Sequence, residues 1–256
     1  MLQPPALFIS HGAPDLPIRT GATQDFLRRL PKTLPHPQAI LVVSAHWSTA
    51  QPTLSGAIRP NTIYDFGGFS KALYQLSYPA PGDPGLAERA AKLLMQAGFS
   101  PQMHPTRGLD HGAWTPLFLA YPEAAIPVTQ LSIQPHQSPA HHYRMGQAIA
   151  SLRDDGVLIV GSGAATHNLG AFGSGYDAPP PDWVAVFDRW LAEAIARNAT
   201  HRLLNYRQTA PHAAQNHPTE EHLLPLFVAL GAGGRGRQIH QGFTYGAFSM
   251  AAYAFD

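Results

Sequence analysis

Four short runs dominated by apolar side chains, at residues 6–9, 39–44, 128–133 and 157–160, recur at wide intervals with helical patterns between them. That alternation is what most limits the fold. Runs of this length and apolar content read as buried strands. The intervening segments have legible helix starts. Asp83 and Pro84 supply an N-cap and a first-turn proline for a helix carrying Leu86, Ala90, Leu93 and Leu94 up to Gly98. Ser138 and Pro139 open another, with Met145 and Ile149, ending before Gly156. Asp182 caps a third, whose apolar face is Trp183, Val186, Phe187, Trp190, Leu191 and Ile195. Thr219 caps a fourth, from Glu220 to about Leu230, stopped at Gly231. Strands alternating with helices predict an α/β fold with a central, mainly parallel or mixed sheet flanked by helices. Pro179, Pro180 and Pro181 form the best linker candidate. The chain reads as one domain, 1–256, because the segment beyond them carries part of the candidate site.

With 45% apolar residues the chain can bury a substantial core, whereas only 13% are charged and the net charge is +1. No basic stripe is present, which argues against nucleic acid or an anionic membrane as partner. There is no cysteine, so disulfides, thiolate metal sites and cysteine nucleophiles are all excluded. No apolar run approaches the roughly 20 residues of a membrane helix. The first ten residues lack the basic start of a signal peptide, so a cytoplasmic location is expected.

The chain has 14 histidines, and three of them follow strand candidates. His11 comes directly after the first, His46 after the second, and His167 lies in the glycine-rich turn Gly161-Ser162-Gly163-Ala164-Ala165-Thr166-His167 after the last. In open α/β sheets ligands bind beyond the carboxyl ends of the strands. Taken singly, each reads as a loop histidine; three at equivalent strand ends point to a shared metal or catalytic site. Gly12, Gly161 and Gly163 suit tight turns or close approach of backbone to a ligand. His222 falls in the first turn of the fourth expected helix, where the dipole disfavours imidazolium and so favours the neutral ring a metal needs. Glu221 beside it is an alternative oxygen donor, and positions about 100° apart on a helix cannot both face one ion squarely. His111, between Asp110 and Trp114, reads equally as a pocket residue and as a histidine beside a helix cap. His36, His104, His201, His212, His217 and His240 read as solvated in polar loops, and His141 and His142 as exposed on a helix. His136 follows a strand and is next in line.

Other motifs fail in context. Gly231-Ala232-Gly233-Gly234-Arg235-Gly236 matches a dinucleotide fingerprint by letter but follows a helix. Val160 stands where a nucleophile elbow around Ser162 needs glycine.

In order along the chain, Ser10-His11-Gly12-Ala13-Pro14, Ser44-Ala45-His46-Trp47, Tyr64-Asp65-Phe66-Gly67-Gly68-Phe69, Tyr78-Pro79-Ala80-Pro81-Gly82, Asp110-His111-Gly112-Ala113-Trp114, His167-Asn168-Leu169 and Pro218-Thr219-Glu220-Glu221-His222 resemble the class III extradiol ring-cleavage dioxygenases, most closely the DOPA 4,5-dioxygenase branch. The resemblance implies a single α/β catalytic domain and one divalent metal, Fe(II) for activity, with Zn(II) also found in the branch. By matching positions, His11, His46 and His222 look like metal ligands. His167 looks like the acid–base histidine, near enough to the metal to count as a fourth ligand, and His111 like a substrate-contacting histidine. Distant members use a glutamate as third ligand, completing a two-His-one-carboxylate triad; a three-histidine set carries one negative charge less and makes a stronger Lewis acid. The implied partners are a catechol, DOPA or a relative, and O2, with a muconic semialdehyde as product. Trp47, Phe66, Phe69 and Trp114 are candidates for an aromatic wall. Two other readings stand beside this one. The same histidines could activate water on zinc in a hydrolase of small amides or esters. They could also serve a non-enzymatic metal-binding protein.

Overall fold

The computed structural model describes residues 3–172 and 175–256. Met1 and Leu2, at the start of the segment read for a signal peptide, lie outside the described residues. All four expected strands form: β1 (Ala6–Ser10), β2 (Ala39–Ser48), β5 (Val128–Ile133) and β6 (Val157–Gly163). They occupy the centre of an eight-stranded sheet with β3 (Thr53–Ser55), β4 (Gln102–His104), β7 (Gly236–His240) and β10 (Ala252–Phe255), in the order β4-β3-β5-β2-β6-β1-β10-β7. A two-stranded ribbon, β8 (Phe243–Thr244) and β9 (Phe248–Ser249), stands apart. The four central strands are parallel, while β10 runs antiparallel to both β1 and β7, so the sheet is mixed. Strands from both sides of Pro179–Pro181 pair in this one sheet, so that proline run is a loop within it.

Successive strand residues face opposite layers. Phe8, Leu41, Val43 and Ile159 belong to one core cluster, while Leu7, Ile9, Ile40, Val42, Leu158 and Val160 belong to the other. The first layer is covered by α2 (Pro84–Gln96), α4 (Pro139–Ile149), α5 (Asp182–Ala196) and α9 (Leu224–Gly233). The second holds α1 (Ala22–Arg29) and α3 (His111–Ala120). Short helical turns α6 (Thr200–Leu204), α7 (Tyr206–Thr209) and α8 (Ala213–Asn216) lead from α5 towards α9. Asp83 and Ser138 cap α2 and α4 as expected, accepting from Leu86 and His141. Asp182 does not cap α5: it is the first helical residue, and its side chain makes no capping bond. Among the described residues no helix is long and apolar enough to cross a membrane.

Two further sequence expectations are corrected. The fourth helix begins at Leu224 rather than Glu220, because Pro225 has no N–H for a carbonyl one turn back and is accommodated in the first turn. Glu221 and His222 therefore sit in the turn before α9, and Thr219 bonds Glu221 Oε1 instead of capping. His142 and His217, expected to be exposed and solvated, are both fully buried. His142 Nε2 accepts from Gln134 N–H and its Nδ1 faces Ser138 O, so both nitrogens are used by a neutral ring.

Burial pulls the His142 imidazole down from 6.5 to about 4, against the bond to Ser138 that raises it. Between those two values the unfolded chain binds a proton that the folded chain refuses. Stability should accordingly fall as pH drops from 6.5 towards 4, with His142 contributing roughly 1–3 kcal/mol of the loss. Urea midpoints of wild type and His142→Gln at neutral pH and near pH 5 check this: the variant starts lower and shows a shallower slope, whereas parallel slopes would refute the assignment.

Candidate metal centre

The parallel pairing of β1, β6 and β2 brings their carboxyl ends to one edge of the sheet. His11 leaves β1, its N–H held by Gly163 O on β6 at 2.9 Å. His46 projects from the last turns of β2. His222 arrives from the opposite layer because β6 is bare there: a Cβ on Gly163 would lie 2.1 Å from the His222 carbonyl, which instead accepts from Ala164 N–H. Gly163 thus admits backbone, not ligand. From the third side α3 presses Gly112 against the pair, where any Cβ would meet Ser44 Oγ at 2.6 Å and His46 Cδ2 at 3.0 Å.

The three imidazoles meet through their Nε2 atoms, His46 to His11 at 3.0 Å and His222 to His46 at 3.3 Å. His11 Nδ1 lies 3.0 Å from Ser162 Oγ, whose own proton goes to Gly112 O, so His11 must donate from Nδ1 and keep a bare Nε2. His222 Nδ1 is 3.0 Å from Glu221 Oε1, which leaves its Nε2 bare too. His46 can supply a proton to one neighbour at most, and the charge of Asp65, whose Oδ2 is 3.7 Å from Nδ1, favours that proton on Nδ1. Protonation is no remedy. Burial, reinforced by the neighbouring histidines, holds His11 well below the usual range and His46 near 4; burial likewise lowers His222 against the opposing bond to Glu221. Three acceptor nitrogens with too few protons among them fit a cation. Nitrogens about 2.1 Å from a common ion lie roughly 3.0–3.4 Å apart, as His46 does from His11 and from His222.

Around this cluster His222 and His111 are held by carboxylates. Burial raises Glu221, and its bonds from His222 and Thr219 more than offset that, leaving it near 2. Asp65 behaves alike: burial raises it, and His111, donating from both its backbone N–H and its ring Nδ1, brings it to about 2. His111 opens α3 with its ring 3.9 Å from that of His46, and Nε2 is left for the adjoining cavity. Asp110 caps the helix while fully buried, accepting from Ser44, Gln130 and Arg107.

His167 lies beside the trio rather than within it. Its ring stacks on His222 at 3.5 Å and 8°, and its nitrogens cluster with Glu221 and His222. Neither ring nitrogen has a hydrogen-bond partner among the described residues. Burial lowers its pKa to about 4 despite the nearby Glu221, so the ring is a neutral base at pH 7.

All five histidines line one cavity of about 260 Å³. Its apolar wall consists of Phe69, Leu169, Phe172 and Phe248. Of the aromatic residues expected there from sequence, only Phe69 is present. Phe66 packs edge-on to His111; Trp114 is in the core, bonded to Ile63 O; Trp47 carries Arg107 over its ring. Phe172, Phe248, Asp65 and Ser162 join the site without a sequence signal for those roles. Asp65 lies within one of the family-like motifs, but nothing in sequence marks its bond to a residue 46 positions away. The glycines resembling a dinucleotide motif end α9 and begin β7.

Comparison with known proteins agrees with this geometry. A family described as the catalytic LigB subunit of aromatic ring-opening dioxygenase matches residues 5–256. The chain is 45% identical over 255 residues to a protein named 4,5-DOPA dioxygenase extradiol from Beta vulgaris, covering 97% of this chain and 95% of that one. It is 40% identical over 231 residues to the protein of the same name from Escherichia coli (strain K12), with 89% and 84% covered. A crystal structure of an uncharacterized protein from Escherichia coli K12 superimposes with a TM-score of 0.82 at 34% identity, over 99% of this chain and 100% of that one.

His46→Ala should abolish stoichiometric binding of a divalent metal. Ser162→Ala, which frees the His11 ring to turn, should weaken it about 10–100-fold. Titration with Zn(II) or Co(II) measures both, and unchanged affinity in His46→Ala would remove the site.

Proposed function

This chain belongs to the family of catalytic LigB subunits of aromatic ring-opening dioxygenases, and we propose that it opens the ring of DOPA or a related catechol with O2 to a muconic semialdehyde, using Fe(II). It is an extradiol ring-opening dioxygenase by family, and dioxygenases of this type are metal-dependent. The observation that carries the reading is the trio of Nε2 atoms at 3.0 and 3.3 Å on the floor of an aromatic-walled cavity. Cleavage breaks one C–C bond beside the diol, and both atoms of O2 enter the product, one in a carboxylate and one in an aldehyde. His11, His46 and His222 would hold the metal, which when bound lowers the pKa of a catechol hydroxyl and, as iron, brings the substrate and O2 into electronic contact.

The protein's own groups have separable tasks. His167 is a neutral base with both nitrogens unengaged, so it takes the second hydroxyl proton and later returns it. Its stacking on His222 and Phe248, the latter at 5.7 Å, fixes the ring plane without using a nitrogen. His111, tethered at Nδ1 by Asp65, presents a bare Nε2 that accepts a hydrogen bond from a substrate hydroxyl. Phe69, Phe172 and Phe248 stack on the ring and limit water. Family membership favours ring opening over amide or ester hydrolysis at the same histidines.

Protein loaded with Fe(II) under nitrogen, then given DOPA and air, should consume O2 and turn yellow. No colour and no uptake with DOPA or a panel of simple catechols would defeat the proposal. His167→Ala should retain metal yet lose turnover by about 10²–10⁴-fold. A rate equal to wild type would remove its proton-transfer role.

A further inference from the structure

A second cavity, of about 430 Å³, lies beside the histidine cavity, and the two share Phe69 and Phe172 in their walls. Phe172 bridges them, its ring 5.7 Å from Phe248 on one side and 4.7 Å from Tyr245 on the other. The polar wall of the second cavity comes from the segment leaving β1, where Asp15 and Arg19 stand four residues apart. Arg19 Nε donates to Asp15 Oδ2 at 2.6 Å; the Tyr245 hydroxyl donates to the same oxygen at 2.5 Å and accepts from Arg19 Nη2 at 3.1 Å. The guanidinium also lies over the Tyr176 ring, 4.9 Å from its centroid. This frame fixes two opposite charges side by side.

It leaves each charge incompletely used. Asp15 is only 4% exposed, and its Oδ1 is buried with no hydrogen-bond partner. A buried oxygen in that state is destabilising until a donor reaches it. Arg19 is the reverse, with a side chain 44% exposed and Nη1 unpartnered among the described residues. The wall as a whole is neutral, with one spare acceptor and one spare fork of donors. A simple anion would satisfy Arg19 and leave Asp15 unmet; an amine alone would do the opposite.

We propose that this second cavity is the subsite for the zwitterionic head of an α-amino acid, with its carboxylate on Arg19 and its ammonium on Asp15, while the catechol ring of the same molecule occupies the histidine cavity. Phe69 and Phe172 flank the aliphatic link. The inference rests on the catechol reading above and assigns to it the residues that select the side chain.

Four probes separate the contributions: DOPA carries both charges, hydrocaffeate only the carboxylate, dopamine only the ammonium, and methylcatechol neither. In the iron-loaded wild type, DOPA should have the lowest KM of the four. Arg19→Ala should raise KM for DOPA and hydrocaffeate roughly tenfold or more, leaving kcat and the methylcatechol KM within about twofold. Arg19→Lys should recover part of the loss, and it also serves if the alanine variant does not fold. Asp15→Asn should erase the advantage of DOPA over hydrocaffeate. Equal kcat/KM for DOPA and methylcatechol in wild type, or a KM rise shared by both in Arg19→Ala, overturns the subsite while leaving ring cleavage standing. If no probe is cleaved, the activity reading fails, and calorimetry under nitrogen still decides the subsite. Tighter binding of DOPA than methylcatechol that is lost in Arg19→Ala upholds it; no such preference overturns it.

Discussion

Two buried imidazoles and a partly buried third share one small volume with too few protons to satisfy each other, and the surrounding structure keeps them there. Left alone, such rings would turn away or take up protons. Burial blocks protonation, and rotation is blocked by a tether on His11 and another on His222: Ser162 for the first and Glu221 for the second. His46 is confined differently, with Gly112 of α3 against its ring edge and His111 against its face. The unmet acceptors form a set that a cation would complete.

The sheet topology makes this possible at low local cost. Parallel pairing sets the carboxyl ends of β1, β2 and β6 side by side, so His11 and His46 come from adjacent positions without long loops. The remaining ligand candidate has to cross from the other layer, and the bare Gly163 is what lets its backbone approach. Negative charge is kept one step away from the nitrogens, on Glu221, Asp65 and Asp110. Each of these carboxylates holds a ring or caps a helix, which keeps their charge off the floor of the cavity. The neighbouring wall of Asp15 and Arg19 repeats the arrangement, with opposite charges fixed by a tyrosine and each left with an unused valence.

Much of this architecture is legible in the residues alone. The four central strands and the caps of α2 and α4 follow from short apolar runs and from Asp-Pro and Ser-Pro starts, which are local signals. His11, His46 and His167 fall at one edge because strand ends in a parallel sheet share an edge. The outer strands escape such a reading because they are only three to five residues long, and three of their pairings run antiparallel to the expected pattern. At the start of α9 the cap signal of Thr219 competes with Pro225, and the proline decides the boundary. His142 is buried on α4, which packs against α9, and the burial of His217, bonded to the carbonyl of Ala165 52 residues away, has no local signature. The same holds for Ser162, Asp65, Phe172 and Phe248 as parts of the site, whose roles arise only when separate segments meet.

The central claim is that His11, His46 and His222 bind one metal ion through Nε2. X-ray absorption at the metal edge, on protein loaded with one Fe(II) per chain under nitrogen, tests it most directly. Three imidazole nitrogens near 2.1 Å are expected, together with oxygen ligands that change when a catechol is added. A shell dominated by carboxylate oxygen, or with fewer than two imidazoles, would contradict it.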